Sequence, residues 1–230
     1  MTETVVFLPG MMCDARLFSD QIAALSVDRT VCAAPITMAD SIEAISHGLL
    51  EVLPSRFALA GLSMGGIVAM EMLRQAPERI SRIALMDTNP LAELPNVAKA
   101  REPQIKAVED GNLLGVMRDE MKPNYLAPGD RRSDVMDLVL SMAQALGPKV
   151  FVRQSRALQS RPAQIETLRM CKVPALLLCG RHDALCPVSR HEMMADLIPH
   201  AELVVLEKSG HLPTLEQPQE TIAVLKRWLS

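Results

Sequence analysis

Arg56-Phe57-Ala58-Leu59-Ala60-Gly61-Leu62-Ser63-Met64-Gly65 is the stretch that decides the fold: an apolar run leads directly into G-x-S-x-G. A serine hydroxyl is a poor nucleophile at neutral pH. It becomes useful when a turn projects it from a strand end and a histidine takes its proton. The glycines at 61 and 65 permit such a turn, because a side chain at either flank would crowd it. The apolar run suits a buried parallel strand. Residues 67–74, reading IVAMEMLR, suit a helix with an apolar face, so Ser63 lies between strand and helix. The pentapeptide alone also arises by chance as a tight turn with a solvated serine. The surrounding chain therefore has to decide.

Working outward, short apolar runs recur at 4–8, 30–33, 57–60, 82–86, 175–179 and 203–206. Helical patterns near 17–25, 41–53, 65–75, 187–197 and 218–229 separate them. Ser41 suits an N-cap, and Pro187 and Pro218 sit where first-turn prolines are tolerated. Strands alternating with helices predict an α/β fold: a mostly parallel, doubly wound sheet of about six strands. Right-handed crossovers then gather the strand C-termini on one edge, where ligands bind. From Leu91 to Met170 the rhythm breaks. Patterns at 96–110, 112–121, 131–146 and 149–159 read as helices, punctuated by Pro95, Pro103, Pro123, Pro128, Pro148 and Pro162. The predicted organisation is a core of residues 1–90 and 171–230 with a helical cap, 91–170, inserted over the active edge. A helical domain packed elsewhere is the alternative.

Composition narrows the class. Among 230 residues, 49% are hydrophobic and 22% charged, which predicts a packed core rather than disorder. A net charge of −3 without a long basic run argues against nucleic acid. No stretch approaches a membrane span, and no signal peptide is visible. The five cysteines form no C-x-x-C pair and are odd in number, so they read as reduced, packed thiols of a cytoplasmic protein. His182 and Asp183 adjoin, but no second ligand pair accompanies them, so neither a metal nor another cofactor is expected.

Two segments complete the chemistry. Gly180-Arg181-His182-Asp183 follows the run at 175–179, and Lys208-Ser209-Gly210-His211-Leu212-Pro213 follows that at 203–206. Ser63, Asp183 and His211 thus occur in the order nucleophile, acid, base. Asp87 is a rival acid, since it also follows a strand, in Met86-Asp87-Thr88-Asn89-Pro90; its other role is to cap the turn there. Motif context favours Asp183. His182 reads as a loop residue.

With LPGMM (8–12), GLSMGG (61–66), LMDTNP (85–90), LLLCGRHDALCP (176–187) and KSGHLPTLEQP (208–218), the chain resembles the α/β-hydrolase-fold serine hydrolases. It is similar to their small capped group, which includes carboxylesterases, the pimeloyl-carrier methyl ester esterase and the menaquinone-pathway synthase. That resemblance implies that Ser63 is the nucleophile, that His211 is general base and then acid, and that Asp183 orients the imidazole. It implies an oxyanion hole from the backbone N–H groups of Met64 and Met11. It further implies an apolar acyl pocket near Met12 and Leu62, and a small-molecule ester or thioester as substrate. Proton abstraction and elimination by the same three residues is the alternative, as is a non-catalytic receptor of this fold.

Two departures from the family pattern stand out. Pro9-Gly10 replaces the common His-Gly, so proline stiffness is expected to hold the oxyanion loop. Only about eight residues precede that loop, so the family's N-terminal hairpin is expected to be absent. The 30–33 strand then becomes an exposed edge, which invites a homodimer. Cap arginines such as Arg153, Arg156 and Arg161 are candidates to meet a substrate carboxylate or a carrier's phosphopantetheine, although solvated arginines are commoner.

Overall fold

Alternate residues of the apolar runs fall into two cores, one on each face of a single sheet. Val6, Leu8, Leu59, Ile83, Leu85 and Leu177 belong to one, and Val5, Phe7, Ala58, Ala60, Ala84 and Leu176 to the other. That alternation is the pleat's period of two. A computed structural model describes residues 3–121 and 125–230; Pro123 lies outside the described residues. Its strands are β1 (Val5–Leu8), β2 (Val31–Ala33), β3 (Phe57–Leu62), β4 (Ile80–Met86), β5 (Ala175–Gly180) and β6 (Glu202–Leu206). They form one six-stranded sheet, ordered β2-β1-β3-β4-β5-β6. Every neighbouring pair is parallel. The expected sheet is therefore present. Its edge strand, β2, has three half-buried residues.

The helices α1 (Ser19–Leu25), α2 (Ile42–Val52) and α3 (Met64–Gln75) connect the first four strands. Between β4 and β5 come α4 (Pro95–Glu109), α5 (Leu113–Gly115), α6 (Arg132–Leu146), α7 (Pro148–Gln159) and α8 (Ile165–Arg169). A π-helical segment, Val116–Met121, continues α5. Next are α9 (Val188–Leu197), α10 (Pro213–Glu216) and α11 (Pro218–Trp228). Ser41 caps α2 by accepting from the Ala44 N–H at 3.2 Å. Pro218 opens α11, whereas Pro187 stands one residue before α9. Pro103 does not end its helix; α4 runs through it. Among the described residues no single helix is long and apolar enough to cross a membrane.

Strand order reverses direction between β1 and β3, and their C-terminal ends flank a crevice of the kind where open parallel sheets bind ligands. Residues of the 91–170 segment join both cores. Ile105, Val108 and Phe151 pack into one, and Val135, Val139 and Met142 into the other.

Candidate active site

Ser63 follows β3 and precedes α3 with φ 56° and ψ −118°. A non-glycine residue there is strained, at a cost of about 1–3 kcal/mol, and persists only when its neighbours hold it. They do. The Ser63 N–H donates to Met86 O at 2.9 Å, and Thr88 Oγ1 donates to Ser63 O at 2.7 Å. The turn also demands bare backbone at its flanks. A Cβ on Gly61 would lie 2.2 Å from Gly65 O, and one on Gly65 would lie 2.0 Å from Leu8 O.

His211 lies after β6. Its Nε2 is 2.9 Å from Ser63 Oγ, and its Nδ1 is 2.8 Å from Asp183 Oδ2. Both His211 and Asp183 are buried. The other Asp183 oxygen, Oδ1, accepts the N–H groups of Leu185 at 2.8 Å and Cys186 at 3.0 Å. Burial opposes the charge on Asp183. The facing His211 imidazole, a hydrogen bond from Asp87 and the Cys186 N–H outweigh it and lower the carboxyl to about 2. An ionised Asp183 fixes the tautomer: Nδ1 carries the proton and Nε2 is left to accept from Ser63. The His211 loop is clamped as well. Its N–H donates to Tyr125 O at 2.6 Å, and the Tyr125 ring stands edge-on to the imidazole with centroids 5.0 Å apart. Glu216 Oε2 accepts the N–H groups of Gly210 and Ala127 at 2.9 and 2.8 Å, and its Oε1 accepts that of Leu212 at 2.9 Å.

Asp87 does not reach His211; it lies behind Asp183. It is fully buried at φ 42°, and its Oδ1 accepts the Gly180 N–H at 2.9 Å. Burial, and then the charge of Asp183 beside it, push its carboxyl well above the usual range. His191, also fully buried, accepts the Thr88 N–H at Nε2, 3.3 Å. Burial lowers it to about 4, which makes it neutral at physiological pH. Cys186 lies beside Asp183 and His211, and burial raises its thiol well above the usual value, so it is no thiolate. His182 is an exposed turn residue.

Met11 and Met64 flank Ser63, and among the described residues neither N–H finds a protein acceptor. Met12, at φ 55°, donates its N–H to Gln154 Oε1 at 2.8 Å, while Gln154 Nε2 donates to Ile36 O at 3.1 Å. The brace on the loop after β1 is thus a side chain of α7. A cavity of about 500 Å³ opens over Ser63 and His211. Met11 and Met64 line it, but Met12 and Leu62 do not: both are fully buried in the apolar cores. Leu62 points away because it is still part of β3, and Met12 because its left-handed backbone turns it into the core. Of Arg153, Arg156 and Arg161, only Arg161 lines the cavity, joined by Arg101 from the same segment and by Arg190. Arg156 pairs with Glu102, and Arg153 lies elsewhere. Gln154, Arg101 and Glu93 carried no sequence signal. Glu216 did carry one, since it stands inside the motif that ends in Glu-Gln-Pro.

A profile of the alpha/beta hydrolase family matches residues 5–224. The chain is 26% identical over 197 residues to a pimeloyl-[acyl-carrier protein] methyl ester esterase of Nitrosomonas europaea, covering 80% of this chain and 75% of the relative. A malate-bound thermophilic esterase from Thermogutta terrifontis superposes with a TM-score of 0.91 at 25% identity, covering all of this chain and 90% of the other. MenH from S. aureus shares the fold, with a TM-score of 0.87 at 21% identity, covering all of this chain and 94% of the other.

Proposed function

The chain belongs to the alpha/beta hydrolase family and is an esterase-like enzyme; from that premise we propose that it cleaves a carboxylic ester or thioester of a small acyl substrate through a covalent acyl-enzyme. Ser63 Oγ attacks the carbonyl carbon while His211 Nε2 takes its proton. Asp183 keeps the imidazole in register and balances its positive charge. The unoccupied N–H groups of Met64 and Met11 receive the oxyanion. His211 then protonates the leaving alcohol or thiol, and water, deprotonated by the same imidazole, releases the acid.

The observation that carries this reading is the unbroken hydrogen-bonded line from Ser63 through His211 to Asp183 beneath the cavity. The 91–170 segment acts as the cap: it supplies much of the cavity wall and excludes water, which strengthens the oxyanion contacts. The Nitrosomonas europaea relative is named for a methyl ester on a carrier-bound chain, so a carrier-bound methyl ester belongs in the substrate panel beside free esters.

The test is a p-nitrophenyl ester assay on Ser63→Ala, with intact-protein mass spectrometry after fluorophosphonate treatment. Wild type should gain one phosphonyl adduct at Ser63 and the variant none. Turnover in the variant should fall on the order of a millionfold. Retained turnover in a folded Ser63→Ala protein would overturn the covalent mechanism.

A further inference from the structure

Three guanidinium groups converge on the cavity from separate elements. Arg101 is on α4, Arg161 follows α7 and Arg190 is on α9. Only two carboxylates among the described lining residues, Glu93 and Glu120, oppose them. Glu93 is already committed on both sides. Its Oε2 lies 2.8 Å from Arg101 and its Oε1 lies 3.0 Å from Arg161, and its side chain is 5% exposed. The Arg161 side chain is 10% exposed, yet its Nε is buried with no hydrogen-bond partner. Burial and the nearby Arg101 lower its affinity for its proton while Glu93 supports it, and it remains a cation. Arg190 has no ion pair among the described residues.

A buried guanidinium donor without an acceptor is costly, and so is an excess of one charge in a partly enclosed space. A ligand's anion, meeting the exposed part of the Arg161 guanidinium and Arg190, offsets the excess charge. A carboxylate suits the planar fork of arginine and can accept two of its N–H groups. The same cavity wall is apolar at Leu91, Leu94, Val97 and Leu158. That wall suits a methylene chain.

Building on the hydrolase reading above, we propose that Arg161, with Arg101 and Arg190, forms an anion subsite that selects esters bearing a second, free carboxylate, namely monoesters of dicarboxylic acids. The subsite holds the far carboxylate while the ester carbonyl rests at Ser63, and hydrolysis releases an alcohol and a dicarboxylate. A purely structural role, with Glu93 latching two arginines of the cap together, makes a different prediction: indifference to charge on the substrate.

The experiment compares mono-p-nitrophenyl adipate and suberate with p-nitrophenyl hexanoate and octanoate, which match them in carbon count. In wild type the carboxylated esters should exceed their neutral partners in kcat/KM by about tenfold or more, mainly through KM, as a charged hydrogen-bond pair predicts. In Arg161→Gln that ratio should collapse toward one. Calorimetry on the Ser63→Ala protein should detect adipate binding and none of 1,6-hexanediol, and Arg161→Gln should abolish the adipate signal. Equal or better turnover of the neutral esters, together with no adipate binding, overturns the subsite and leaves the hydrolase reading intact. Adipate binding without turnover of either ester type supports the subsite and overturns the hydrolase reading. Should Arg161→Gln fail to fold, the wild-type ester ratio and the adipate titration decide the matter alone.

Discussion

Asp87 and Asp183 end adjacent strands, yet their carboxyls shift in opposite directions: burial beside a charged neighbour raises that of Asp87, while His211 holds that of Asp183 down. Asp183→Asn should lower kcat on the order of ten-thousandfold, because His211 loses both its tautomer and its counter-charge. Asp87→Asn should keep kcat within about tenfold, since an amide can still accept from Gly180 and donate to Asp183. A pH–rate series on both variants checks this ranking. Stability separates them further. The folded pKa of Asp87 is raised above its ordinary 3.8, so its contribution is complete below that value and is lost as pH rises toward the folded value. A single such group changes stability by at most about 1.4 kcal/mol per pH unit. The advantage of Asp87→Asn over wild type in urea denaturation should therefore grow from pH 5 to pH 8. A constant gap would mean that Asp87 is ionised. His191 acts with the opposite sign. Its folded pKa of about 4 lies below its ordinary 6.5, so its contribution is present above 6.5 and is lost as pH falls through 4. His191→Gln should remove that acid limb, worth roughly 3 kcal/mol, in denaturation measured between pH 7 and pH 4. Ser63, Asp183 and His211 could be found in the sequence because each follows an apolar run and is marked by its residue type. The burial of Asp87 and His191 could not, because it is created by residues distant along the chain.

At the scale of elements, two side chains set the geometry of catalytic loops to which they do not belong. Gln154 of α7 ties Met12 to Ile36, and Glu216 at the end of α10 gathers three backbone N–H groups around His211. Gln154→Leu leaves a buried N–H and a buried carbonyl without that partner. It should cost about 1–3 kcal/mol in stability. It should also lower kcat for a neutral p-nitrophenyl ester by about tenfold to a hundredfold, because the Met11 donor is no longer held in place. An unchanged kcat would show that the loop holds itself, as the stiffness of Pro9 was expected to achieve. The strands were readable because each contains a short apolar run, and β1, β3 and β5 are buried along their whole length. The short helices α8 and α10 were not, because five and four residues carry too little periodicity.

Across the whole molecule, the 91–170 segment is joined to the rest more closely than a detachable cover would be. It contributes residues to both cores, the brace on the Met12 loop and the acceptor for the His211 N–H. Replacing it with a Gly/Ser linker should therefore remove ester hydrolysis altogether rather than merely broaden chain-length preference. Thermal unfolding should show a markedly lower Tm or loss of the cooperative transition, since apolar surface on both faces of the sheet is uncovered. A folded, active deletion variant would restore the picture of an independent cover. Sequence patterns predicted helices between Leu91 and Met170, and α4 to α8 lie there. The patterns could not reveal the segment's attachments, which include single polar contacts between residues far apart along the chain, such as Met12 and Gln154. The Tyr125 carbonyl adds a matter of timing. It anchors the His211 backbone from the same inserted stretch that overhangs the cavity. Any swing of that stretch wide enough to admit a guest also slackens the imidazole. On the proposed mechanism, an ester that met such an open form would find a disarmed catalyst, and only closure over a fitting guest would re-arm it.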